Sequence, residues 1–326
     1  MPHTAFYLAF IMMISTIGGC SAGLRSGGEP YEAMSLQGKP LYAPELSLDV
    51  MQERSLKLGR AHMNYILNPG EEQMLIWFGR RLAYIGRFNE AIELYTKGIG
   101  SYPESYRLRR HRGHRYITLR KFDEAIEDLA HAAELIEGVP DEIEPDGLPN
   151  AMGVARSTTH TNIYYHLGLA YYLNRRFEVA RRTFITGLDA SRNDDMRCAM
   201  TYWLYLSLRR LGLDVVADSV LEPIHEDMEV IENMSYQNLL LMFKGEYAPE
   251  DIAPPAPAPG GEEGSDTTAE SGTIDDATIA YGLGIWRFVS GDLEGARRVF
   301  LDITDGEAWP AFGHIAAEAE LRAMMR

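Results

Sequence analysis

Cysteine is scarce. The 326 residues include two, Cys20 and Cys198, so no disulfide network staples this chain. Hairpin dipeptides between alternating apolar runs are missing, which argues against a sheet. No apolar run reaches membrane-spanning length. The longest, Ala5 to Ile17, has 13 residues and extends about 20 Å as a helix, short of the roughly 30 Å hydrocarbon core. Excess positive charge is absent too. A formal charge of −16 argues against nucleic acid as a partner, because phosphate binding rests on cationic surface. His-Glu-x-x-His, Gly-x-Ser-x-Gly and phosphate-cradling glycine loops do not occur, so catalysis finds little support. His111 and His114 share a helix face and could share a metal with His160 or His166, but no placed set of three or four metal ligands is legible.

What the chain does have is a repeated pattern. Gly79, Phe88, Ala91 and Pro103 mark one copy. Gly113, Phe122 and Ala125 mark a second, with Ala91 and Ala125 separated by 34 residues. Gly168, Phe177, Ala180 and Phe184 mark a third, and Gly284, Leu293, Ala296 and Phe300 a last. Cys198 to about Ile231 is a degenerate copy with Leu204, Leu208, Ala217 and Leu221. A period of this length means stacked helix pairs, each unable to bury its apolar face alone. A mid-helix glycine costs roughly 1 kcal/mol against alanine. Glycines at one register therefore imply a facing helix too close for a side chain, with Ala91, Ala125, Ala180, Ala217 and Ala296 as the matching flat spots.

These residues resemble the tetratricopeptide repeat. The stretch from Thr161 to about Asp194 matches best, through Tyr164, Leu167, Gly168, Tyr171, Ala180, Phe184 and Gly187. The second copy departs from the pattern, with Arg109 and Arg112 where apolar residues are usual. The resemblance implies an all-α, right-handed solenoid of about five helix pairs, closed by a C-terminal capping helix. Met51 to Leu67 reads as the second helix of an incomplete leading repeat, and Pro310 to Met325 as the closing helix.

The N-terminus resembles a bacterial lipoprotein leader. The apolar run ends in Ile17-Gly18-Gly19-Cys20, and a lipobox needs a cysteine at that position. The expected organisation is a signal peptide over 1–19, lipidation at Cys20, a flexible tether over 20–45 and a solenoid over 46–247. A Pro/Ala/acidic linker over 248–273 and a final unit over 274–326 follow. The linker lies in a stretch, Gly245 to Trp286, with nine acidic residues and no Lys or Arg. Its composition cannot repay ordering entropy. Ser21 after the cysteine points to an outer-membrane address facing the periplasm.

In the resembled family, ligands lie along the concave face lined by each first helix. Carried over by register, that face holds Arg80, Tyr84, Arg107, Arg110, His114, Asn162, Tyr165, Tyr172 and Arg209. From Arg107 to Lys121 there are seven Lys/Arg and no acid. Two readings stand for this run. One is an anion-recognising patch, since guanidinium forks match carboxylates. The other is a solvated face paired with Asp123, Glu124 and Glu127. Between the second and third copies, Ala125 to Ala180 spans 55 residues, 21 beyond one period. This insertion, about 140–160, either folds into the groove or makes a surface excursion.

Together these features imply a non-catalytic scaffold or adaptor in the bacterial cell envelope, without cofactor or metal. Its partner would be a protein or peptide with an acidic or carboxylate feature. A transporter-associated lipoprotein that binds a small ligand or glycan is the alternative.

Overall fold

The structure is a computed structural model that describes residues 30–147, 150, 152–252 and 267–325. The expected signal peptide, Cys20 and residues 253–266 of the expected linker lie outside them. A two-residue hairpin, β1 (Ala33–Met34) with β2 (Pro40–Leu41), precedes the helices. The lead helix α1 (Leu48–Leu67) is followed by three full pairs: α2 (Glu72–Ala83) with α3 (Phe88–Ser101), α4 (Tyr106–Thr118) with α5 (Phe122–Leu135), and α6 (Thr159–Leu173) with α7 (Phe177–Ala190). The degenerate unit has a long α8 (Asp194–Arg210) and a six-residue α9 (Asp214–Ser219). An additional helix, α10 (Met234–Lys244), bridges α8 to α11 (Thr267–Val289). The final pair, α11 with α12 (Leu293–Asp305), is closed by α13 (Phe312–Met324).

This is an all-α solenoid of tetratricopeptide type. Each pair packs internally and on the next, and first helices also touch one another, α2 with α4, α4 with α6 and α6 with α8. The register glycines work by close approach. A Cβ at Gly79 would sit 2.4 Å from the Tyr95 ring, and one at Gly168 would sit 2.5 Å from the Phe184 ring. The filler at each site is therefore the large residue four positions after the repeat's register alanine, Tyr95 after Ala91 and Phe184 after Ala180. Ala91 and Ala180 are fully buried. Helix starts follow local chemistry. Ser105 Oγ accepts from the Leu108 amide at 2.9 Å, and Thr158 with Thr161 forms a reciprocal capping box.

Two expected boundaries change. Residues 30–45 are not a free tether. Ala33 and Ser35 are buried, the Leu36 amide donates to Glu318 at 2.8 Å, and the Tyr42 carbonyl accepts from Trp309 Nε1 at 2.8 Å. The hairpin stays because it satisfies buried polar groups of the C-terminal unit. The expected linker is ordered at both edges, with a 3-10 turn over Pro249–Asp251, buried Ile252, and α11 already helical at Thr267.

Candidate functional site: an occupied concave face

The inner face of the first helices is not open. At its front it carries the chain's own insertion, and further along it carries α10, α11 and α13.

At the front, α2 and α4 present the guanidinium groups, and the segment 141–147 lies extended across them. The Glu144 amide donates to Ser157 O at 3.1 Å and Thr159 N to Glu142 O at 2.9 Å, so this acidic segment is paired with the approach to α6. Arg80 donates through Nη1 to Pro145 O at 2.7 Å, and Arg81 donates to Gly147 O at 3.2 Å. Glu144 Oε1 lies 3.0 Å from Arg110 Nη2, and Arg107 Nε donates to Glu142 at 3.0 Å. The arginines of α2 thus meet backbone carbonyls and those of the basic run meet carboxylates, the donor pattern an acidic peptide would receive.

Burial sets the local electrostatics. Arg110 is 8% exposed, and its Nη1 donates to His111 Nδ1 at 3.0 Å. Desolvation and then Arg110 hold the His111 imidazole well below its ordinary pKa, so it is neutral and accepts that proton donor. Arg115, one turn on, is also pushed down by desolvation, to about 10. Its guanidinium lies over the Phe88 ring, 5.7 Å from the centroid, and it has no carboxylate partner among the described residues.

Beside this segment a cleft of about 360 Å³ opens between α2, α4 and the insertion, lined by Glu72, Gln73, Ile76, Arg80, Arg107 and Glu142 among others. Its volume is at the low end for small-molecule sites. Its charged lining is largely neutralised by its own pairs: Arg107 with Glu142 and Glu72, and Arg80 with Glu144.

The expected inner-face residues separate into three groups. Arg80, Tyr84, Arg107 and Arg110 stand together at the front, with Tyr84 held by Arg80 through its hydroxyl. His114, Asn162, Tyr165 and Tyr172 are covered. The His114 and His166 rings meet tilted, 4.3 Å between centroids, beside Phe312 of α13, and desolvation pushes both imidazoles well below their ordinary pKa. Asn162 donates to Ser157 Oγ at 3.0 Å. The Tyr165 hydroxyl pairs with Tyr236 at 2.7 Å, and that of Tyr172 pairs with Tyr281 at 2.9 Å. Arg209 is elsewhere, at the α8–α9 turn, 3.1 Å from Asp214. The register placed these side chains inward, but later helices fill the space an open solenoid would leave. Among the described residues no group of three His, Cys, Asp or Glu is placed to hold a metal.

Arg109 and Arg112 have a different task. Both reach Asp128 on α5, at 3.5 and 2.6 Å, and Asp128 is 3% exposed. The acids expected to neutralise the run were Asp123, Glu124 and Glu127. The usable signal was the pair of arginines at apolar repeat positions, which demands an acid on the buried face of the next helix. Arg115 and Glu144 were the other functional residues that sequence reasoning missed.

The helix-pair stack is similar to MamA of MSR-1, at 16% identity over 60% of this chain and 91% of that one, with a TM-score of 0.39. It is also similar to YrrB, a TPR protein with an unusual peptide-binding site, at 13% identity over 82% and 98%, again with a TM-score of 0.39. Superpositions this loose carry no argument about this chain, and the tetratricopeptide-type fold rests on the repeat geometry above. No protein-family model matches the sequence, and no curated protein matches it.

Proposed function

We propose that this chain is a non-catalytic scaffold that holds an acidic, extended protein segment at the front of its inner face. The supporting observation is the insertion itself. Residues 141–147 lie across Arg80, Arg81, Arg107 and Arg110 with carboxylates and carbonyls on guanidinium donors. In this reading the insertion is a resident competitor, and Arg115 supplies the cation left for a partner carboxylate. The scaffold works in the bacterial envelope, anchored by lipid at Cys20 and facing the periplasm. That part rests on the leader pattern.

Replacing residues 141–147 by a Gly/Ser segment should expose the arginines. A labelled peptide of sequence 140–147 added in trans should then bind the variant, and should bind the intact chain at least roughly tenfold more weakly. Binding should fall with salt, because its rim charges are screened over about 10 Å at 0.1 M. Adding Arg107→Glu should weaken it further. No binding to a variant that retains native circular dichroism refutes the reading. For the anchor, Cys20→Ser should stop fatty-acid incorporation and release the protein from membranes, and unchanged retention would refute it.

A further inference from the structure

Helix α1 leaves an apolar stripe in solvent. Leu48, Leu56, Met63, Ile66 and Leu67 are each exposed, between 54% and 80%. At about 100° per residue they share one side of the helix, opposite Val50, Arg54 and Ala61, which face the solenoid. Five such side chains make a patch on the order of several hundred Å², the scale at which exposed apolar surface marks an interaction site. Gly59 falls inside the stripe, and nothing lies within 4 Å of where its Cβ would be. A second backbone can therefore come close there. The position has a structural reason. Among the described residues α1 is the lead helix with no helix stacked on its outward side, and a solenoid end left uncapped exposes apolar surface.

Charge identifies the occupant. One edge of the stripe carries Asp49 and Glu53 in the first half of α1, then Lys57 and Arg60 in the second. Two copies of α1 laid parallel about a two-fold axis would carry their charged edges to opposite sides of the seam, where the charges do not meet. A second α1 laid antiparallel about a two-fold axis near Leu56 and Lys57 keeps the charged edges on one side and brings Glu53 of each copy to Arg60 of the other. It puts Leu48 opposite Ile66, Met51 opposite Met63 and Glu53 opposite Arg60. In the single chain Glu53 pairs with Lys57, and Arg60 has no ion pair among the described residues. The pattern is self-complementary, as an isologous interface requires. The chain's charge of −16 opposes association elsewhere. On the exposed side of α1 the cations Lys57 and Arg60 balance the acids Asp49 and Glu53, so this is where two copies can meet without net repulsion.

We infer that the exposed face of α1 is a self-association surface, on which two copies of this chain pair antiparallel through their first helices. Such a dimer turns the groove-bearing solenoids outward from a common centre and leaves the 141–147 segment untouched.

Sedimentation velocity of the full chain tests this. At about 10 µM the species should have the mass of two copies. Leu56→Glu combined with Met63→Glu should give one copy with unchanged circular dichroism, since both side chains are exposed. Glu53→Arg should weaken the dimer at least roughly tenfold, and Arg60→Glu added to it should restore most of the loss. A single-copy mass at about 100 µM overturns the proposal. So does a dimer that survives the Leu56/Met63 variant, or a Glu53→Arg defect that Arg60→Glu does not repair.

Discussion

Arg120 and Arg175 occupy the turn between first and second helices with φ of 62° and 61°. The same turn in the other units uses Gly86, Gly212 and Gly291, also at positive φ. A side chain in this left-handed conformation costs roughly 1–2 kcal/mol, so something must offset it. For Arg120 the offset is visible. Its Nε donates to Glu318 at 3.1 Å and its Nη2 to Trp309 O at 3.0 Å, with both side chains of the pair nearly inaccessible. Arg175 is weaker: it is 40% exposed and lies 3.6 Å from Glu320, which also has Arg210. Arg120→Gly relieves the backbone but leaves Glu318 buried without its guanidinium partner, an outcome that costs about 3–5 kcal/mol. The net expectation is a loss of about 2–3 kcal/mol in chemical denaturation. Arg175→Gly should fall within about 1 kcal/mol of wild type, because strain relief and added unfolded-state entropy nearly cancel. The reverse order of the two variants would show that Arg120 is not the anchoring contact.

Among the elements, the helix pairs were the legible part of the sequence, because their signal is local. Gly79 with Tyr95 and Gly168 with Phe184 lie within one repeat, so period and spacing state the contact without knowledge of the rest. The short α9 was legible only as a degenerate copy. α10 carries no repeat pattern at all, and its buried Leu239 and Leu240 belong to contacts with α8 and α11. The insertion was legible as excess length but not as a destination. Glu144 finds Arg110 across the groove, and nothing in the spacing of either residue reports the other. The same limit explains the buried half of the expected site. His114, Tyr165 and Tyr172 do point inward, and Phe312, Tyr236 and Tyr281, from elements far along the chain, meet them there. A register states direction, whereas occupancy depends on how a solenoid's ends curl back.

At the scale of the whole molecule, α13 is the latch that makes the ends meet. Its two buried glutamates face opposite ways. Glu320 takes Arg210 and Arg175 from the third and fourth units. Glu318 takes Arg120, the Leu36 amide of the N-terminal hairpin at 2.8 Å, and His314 at 3.4 Å, while its carbonyl accepts from Gln37. One carboxylate therefore joins the hairpin, the second unit and the final helix, so closure should depend on its charge. Desolvation alone would raise the Glu318 pKa. Its bonds from His314 and Arg120 outweigh that and hold it at about 2, below the ordinary 4.5. A pKa depressed in the folded state adds stability that is fully present above 4.5 and disappears as pH falls through about 2. Its size is on the order of 3 kcal/mol, from the shift alone. Denaturant unfolding followed between about pH 5 and pH 2 should therefore show stability falling with acidification. In Glu318→Gln that part of the slope should vanish, with stability already reduced at pH 5, since an amide cannot match a charge-assisted pair with Arg120. An unaltered slope in Glu318→Gln would mean that other carboxylates set the acid limit and that the latch closes without this charge.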